Sequence, residues 1–119
     1  MKHLFVAAGL LGALGVLLGA LAAHGLREVL ETDPRKGEAF GTAVDYHLLH
    51  AVGLLALAIA VGSKNEVFAE RCKRAGWIMV IGICLFCCTI YIWALGGPKW
   101  LGHVTPLGGV TLVVSWIMV

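Results

Sequence analysis

Histidine carries the most versatile chemistry in this chain, and it occurs at His3, His24, His47, His50 and His103. A neutral imidazole binds Zn, Cu, Fe or Ni, ligates haem iron, moves protons near neutral pH and hydrogen-bonds through both ring nitrogens. His47 and His50 stand three residues apart, so a helix puts them on one face, with Tyr46 one turn before His50 on the same side. Asp45 falls elsewhere round that helix. The other reactive group is a set of thiols at Cys84, Cys87 and Cys88, with Cys72 apart. Their spacing faces them one way and would suit a soft metal such as Cu(I). Free cysteine in apolar surroundings is more commonly a small packed hydrophobe, and packing is the reading adopted. This is not the spaced cysteine framework of a disulfide-rich secreted protein. There is no phosphate-binding glycine loop, nucleophile elbow or zinc-protease pattern, so no catalytic residue is assigned. Ser115 is a lone hydroxyl, expected to bond to its own helix.

The elements that must position these residues are apolar. Of 119 residues, 60% are hydrophobic and 13% charged, against about 45–50% and about 25% in a typical soluble domain. This balance excludes a disordered chain, a basic nucleic-acid-binding domain and a coiled-coil rod. The formal net charge of +2 implies no particular acidic partner. A spanning helix needs about 20 mostly apolar residues. Four runs qualify: 4–23, 40–61 (with Asp45 near its start), 75–97 and 100–119. The pattern predicts an all-α fold: one transmembrane domain over 1–119, a four-helix bundle with helices near 4–23, 35–61, 75–96 and 104–119. Trp77, Tyr91, Trp93, Trp100 and Trp116 sit toward helix ends, where amphipathic rings favour headgroup depth. The first run could instead be a signal peptide with a site near Ala20-Leu21-Ala22, but it is longer than the usual apolar region of one. Asp33-Pro34 reads as an N-cap and first-turn proline for the second helix. Pro106 and Gly108-Gly109 predict an irregular fourth segment. Its regular helix should start at or after Pro106, with residues 99–105 forming a re-entrant or interfacial turn.

Four spans put both termini on one side, with Lys2, Lys64, Arg71, Lys73 and Arg74. The opposite side has Arg27, Arg35, Lys36 and Lys99. The positive-inside rule therefore leans to cytoplasmic termini. Gly12, Gly15, Gly19 and Ala23 form a small-residue stripe on the first helix, suited to close packing against a neighbouring span or, alternatively, to a homodimer seam. His24, the His47/His50 pair and His103 share the membrane face opposite the termini. His50 lies eleven residues in from Val61, roughly 16 Å by helical rise and near mid-depth. A polar group there needs a partner. Four readings follow: an interhelical hydrogen-bond network; a metal or haem site on His24, Tyr46, His47, His50 and His103; a quinone or lipid pocket walled by Tyr46, Trp93 and Trp100; and proton or ion passage through an oligomer.

Several stretches resemble a known family. These are residues 19–25 (GALAAHG), 43–51 (AVDYHLLHA), 85–91 (LFCCTIY) and 105–109 (TPLGG). In this order and spacing they resemble the YgdD-like family of small bacterial membrane proteins, which includes the animal transmembrane protein 256. The resemblance covers nearly the whole chain and argues against cleavage of the first helix. It implies about four spans, and it places His24, His50, Tyr91, Pro106, Gly108 and Gly109 in the family pattern. Cys87 and Cys88 stand where that family often has small residues, and His103 falls outside the pattern. The family is of unknown function and supplies no activity. The expectation is a non-enzymatic membrane subunit or binding module in a bacterial cytoplasmic membrane. Its partners would be the lipid bilayer and a homo-oligomer or larger membrane complex, with no nucleic acid.

Overall fold

An apolar run without proline lets the first helix span unbroken. In the computed structural model, which describes residues 2–119, α1 occupies Lys2–Ala23. A short α2, Arg27–Glu31, follows; Arg27 Nε donates to Glu31 at 2.8 Å along its exposed face. Asp33 then starts α3, Pro34–Ala60, by accepting from the Arg35 N–H at 3.0 Å. Pro34 takes the first helical position, where its missing N–H is not needed. Asn65 caps α4, Glu66–Ile83, by accepting from the Phe68 N–H at 3.1 Å, so α4 begins in the charged loop well before the apolar run at Ala75. A π-helical turn, Cys84–Cys88, joins α4 to α5, Thr89–Ala94. Gly96, with φ of +103°, stops α5: its N–H bonds the Trp93 carbonyl at 3.1 Å, and the Gly97 N–H bonds that of Ile92 at 2.8 Å. This is the left-handed glycine stop with paired capping bonds, and Pro98 follows it.

The last helix, α6, runs from Leu101 to Met118 with Pro106 inside it. This corrects the expectation that regular helix begins only at Pro106. The first turn is tightened by i→i+3 bonds from Leu101, Gly102 and His103 to the carbonyls of Pro98, Lys99 and Trp100. Pro106 removes the donor for the Gly102 carbonyl, near the exposed start of the helix. Nothing crowds the position of a Gly102 Cβ within 4 Å.

The described residues form an all-α protein with four helices long and apolar enough to cross a membrane: Lys2–Ala23, Pro34–Ala60, Glu66–Ala94 and Leu101–Met118. The second and third are the more buried. The first and fourth flank them and show most of their surface outward. The small residues of α1 face α3: a Cβ on Gly15 would fall 2.7 Å from Leu48, one on Gly19 3.2 Å from Val44, and one on Gly12 4.0 Å from Ala51. Ala23 is exposed, at the end of the stripe. Phe40, Leu54, Cys72, Met79, Ile83 and Cys87 form the fully enclosed part of the core.

Candidate functional site

The histidines on α3 are both buried, and they are held from different helices. The His47 ring lies with Nδ1 2.9 Å from the Tyr91 hydroxyl of α5. That hydroxyl has no other hydrogen-bond partner among the described residues, so the consistent assignment is Tyr91 O–H donating to Nδ1, with the ring proton on Nε2. Nε2 is then on the α1 side, where the neighbouring ring carbon stands against Gly15, and it has no partner. Phe40 packs on the Tyr91 ring at 4.9 Å between centroids and holds the phenol in place.

His50 is closed on both sides. Its Nδ1 lies 2.6 Å from the Tyr46 carbonyl one turn back, and its Nε2 lies 3.1 Å from Trp116 Nε1 on α6. A carbonyl only accepts and an indole N–H only donates, so His50 is neutral with its proton on Nδ1. A protonated ring could not accept from Trp116. The indole finds room because Gly53 stands beneath it; a Cβ there would be 3.4 Å from the Trp116 ring. Tyr46 turns its own ring outward, 44% exposed, stacking on His50 at 5.9 Å and against Phe86 at 5.0 Å.

The other proposed site residues lie elsewhere. His24 and His103 are both exposed, at the end of α1 and the start of α6. Trp93 lies under the Lys36 ammonium at 5.5 Å, and Trp100 is exposed. Cys87 is buried, Cys84 exposed and Cys88 half-buried, so the π-turn spreads the three thiols apart in environment. No three His, Cys, Asp or Glu side chains among the described residues gather closely enough to hold a metal ion.

Four polar contacts escape a reading by spacing alone. Tyr91 and Trp116 look like interfacial aromatics because they stand near the ends of apolar runs, yet both turn a polar atom inward to a histidine. Ser115, expected to bond to its own helix, instead donates to the Ala75 carbonyl of α4 at 2.7 Å. The fourth contact supports the π-turn. Thr89 donates to the Leu85 carbonyl at 2.7 Å, and its hydroxyl lies in a 2.8 Å hydrogen bond with that of Thr105. The glycine below Trp116 was the one available signal, since a small residue one turn from a buried histidine leaves space for a large neighbour.

The fold and the cluster together define a small membrane protein with four apolar spans and a buried His–Tyr–Trp hydrogen-bond network. Comparison with known proteins gives the family: residues 18–109 match the protein family of unknown function DUF423, and the chain belongs to it. It is 38% identical to the UPF0382 membrane protein YwdK of Bacillus subtilis, over 100% of this chain and 94% of that one. It is 34% identical to a UPF0382 membrane protein of Haemophilus influenzae, over 98% of this chain and 88% of that one. A Schizosaccharomyces pombe UPF0382 membrane protein, C1782.12c, is 32% identical over 92% and 91% of the two chains. No solved structure matches. These relatives agree with the resemblance to the YgdD-like and transmembrane protein 256 family.

Proposed function

We propose that this chain is a non-enzymatic subunit or binding module of a membrane assembly, in which the His/Tyr cluster clasps the spans together. His50 carries the reading. Its two ring nitrogens are engaged at 2.6 Å and 3.1 Å, which leaves no lone pair for a metal or a haem iron. His47 joins α3 to α5 through Tyr91, so neighbouring positions on one helix tie two different partners. The outward faces of α1 and α6 are the surfaces left for other chains or lipid. The setting is a bacterial cytoplasmic membrane with the termini inside, as the excess of basic residues beside them favours.

Elemental analysis and haem assay of the detergent-purified protein test this reading. The expected result is metal and haem at background per chain, in the native protein and in His50→Gln alike. Near-stoichiometric iron, copper or zinc that disappears in His50→Gln would overturn it. A second reading rests on the unpartnered Nε2 of His47. A buried donor of this kind can take the carbonyl of a quinone, which reaches the fully enclosed ring only if α1 moves aside at Gly15. Solvent extraction of the pure protein followed by chromatography would reveal a stoichiometric quinone, which His47→Leu should remove.

A further inference from the structure

At the end of the molecule that carries the termini, α4 and α6 flank an open groove of about 840 Å³. Its walls are unlike in kind. Glu66, Glu70, Arg71 and Arg74 of α4, with Val67 among them, line one side; Ile117 and Met118 of α6 line the other. The Ser115 to Ala75 hydrogen bond fixes this register, because it lays the last apolar turn of α6 beside the charged turns of α4. The concavity therefore lies where hydrocarbon gives way to headgroups. Arg74 Nε meets Glu70 at 3.1 Å, while Arg71 has no ion-pair partner among the described residues.

We infer that this concavity is a binding site for a glycerophospholipid whose headgroup carries both a phosphate and a primary ammonium. The planar guanidinium fork of arginine matches phosphate oxygens better than a lysine point charge does. The two carboxylates balance the two guanidinium groups, so the lining complements a zwitterion better than an anionic headgroup. A primary ammonium donates hydrogen bonds to carboxylates, and a quaternary one cannot. Ile117 and Met118 receive the first part of an acyl chain and keep the glycerol at the boundary. The site is separate from the histidine cluster and does not depend on the role given to it.

The test uses the full chain in a neutral detergent, stripped of lipid. Lipid adducts are counted by native mass spectrometry and thermal midpoints are read with added dioleoyl lipids. Phosphatidylethanolamine should give the highest occupancy and the largest rise in midpoint. Phosphatidylcholine and phosphatidylglycerol should give less, and dioleoylglycerol, which lacks the phosphate, no rise. Arg71→Gln with Arg74→Gln should lower phosphatidylethanolamine occupancy roughly fivefold to tenfold, the scale of one partly exposed charge-assisted hydrogen bond. Glu66→Gln should bring ethanolamine down to the choline level. These changes should lower the lipid-free midpoint only slightly, because the Arg74–Glu70 pair that they break is exposed, and a loss of lipid response beyond that small shift separates lost binding from lost folding. Equal stabilisation by dioleoylglycerol, a stronger response to phosphatidylglycerol, or unchanged preference in the arginine variant would each overturn the inference. Displacement of the lipid by millimolar phosphoethanolamine alone would also overturn it, since the site would then serve the free headgroup.

Discussion

A histidine inside a bilayer is legible from its position, but its partner is not, because spacing along one helix says nothing about which other helix faces it. Counting from Val61 puts His50 near mid-depth; Trp116, which satisfies it, comes from a helix with no sequence link to it. The pairing makes two substitutions at the same position differ. His50→Ala deletes both hydrogen bonds and leaves a void beside Gly53, with an expected cost of about 2–4 kcal/mol. His50→Leu loses the same bonds but fills most of the volume, and should cost roughly half as much. In the leucine background, Trp116→Phe should cost little more, because the indole N–H has already lost its acceptor. Unfolding in mixed micelles, taken as a double-mutant cycle, reads these differences. The His47–Tyr91 pair gives a parallel case. Tyr91→Phe leaves Nδ1 unpaired in a closed site and should cost about 1–2 kcal/mol. Tyr91→Phe with His47→Leu should cost less than the sum of the single changes, because no polar atom is then left behind. Strict additivity would show that the 2.9 Å contact contributes nothing.

At the scale of elements, local signals carried far. Asp33-Pro34 marked the start of α3, and apolar length marked every span, because both depend on a few adjacent residues. The π-turn at Cys84–Cys88 and the unbroken course of α6 through Pro106 were not legible. Each depends on a contact across helices. α6 lies against the π-turn so closely that a Cβ on Gly108 would fall on the main chain of Leu85 and Phe86. Backbone cannot move aside as a side chain can. Gly108→Ala should therefore push α6 away from the π-turn and cost about 3 kcal/mol or more, with loss of the monodisperse protein in detergent. Gly109→Ala is the control, since its Cβ would meet only the Phe86 ring at ordinary distances of 3.7 and 3.8 Å. It should purify and melt like the native protein. Equal tolerance of both alanines would mean that the close approach of α6 to the π-turn does not exist in the membrane.

For the molecule as a whole, dimensions and charge set its place in a bilayer. The principal extents are 52 × 27 × 16 Å, and a hydrocarbon core is about 30 Å thick. The long axis therefore exceeds the core. The capped starts of α3 and α4, both rich in charge, account for the excess at opposite ends. The first and fourth spans turn most of their surface outward, so both keep a flank for lipid or a partner. Whether the termini face the cytoplasm turns on five basic residues against four, too small a margin for composition alone to decide. A chemical probe decides it more directly. Ser63 lies in the loop before α4 and Lys99 in the loop before α6, both exposed, on opposite sides of the membrane if all four helices cross. The native thiols make a quiet background, as Cys72 is buried and the other three lie on the third span within its apolar run. Lys99→Cys should react with a membrane-impermeant maleimide in intact spheroplasts, and Ser63→Cys only after the membrane is opened. The reverse pattern would invert the orientation and move the lipid site proposed at α4 and α6 to the outer leaflet. Labelling of both from one side would be incompatible with four crossings, since the two loops are separated by a single span.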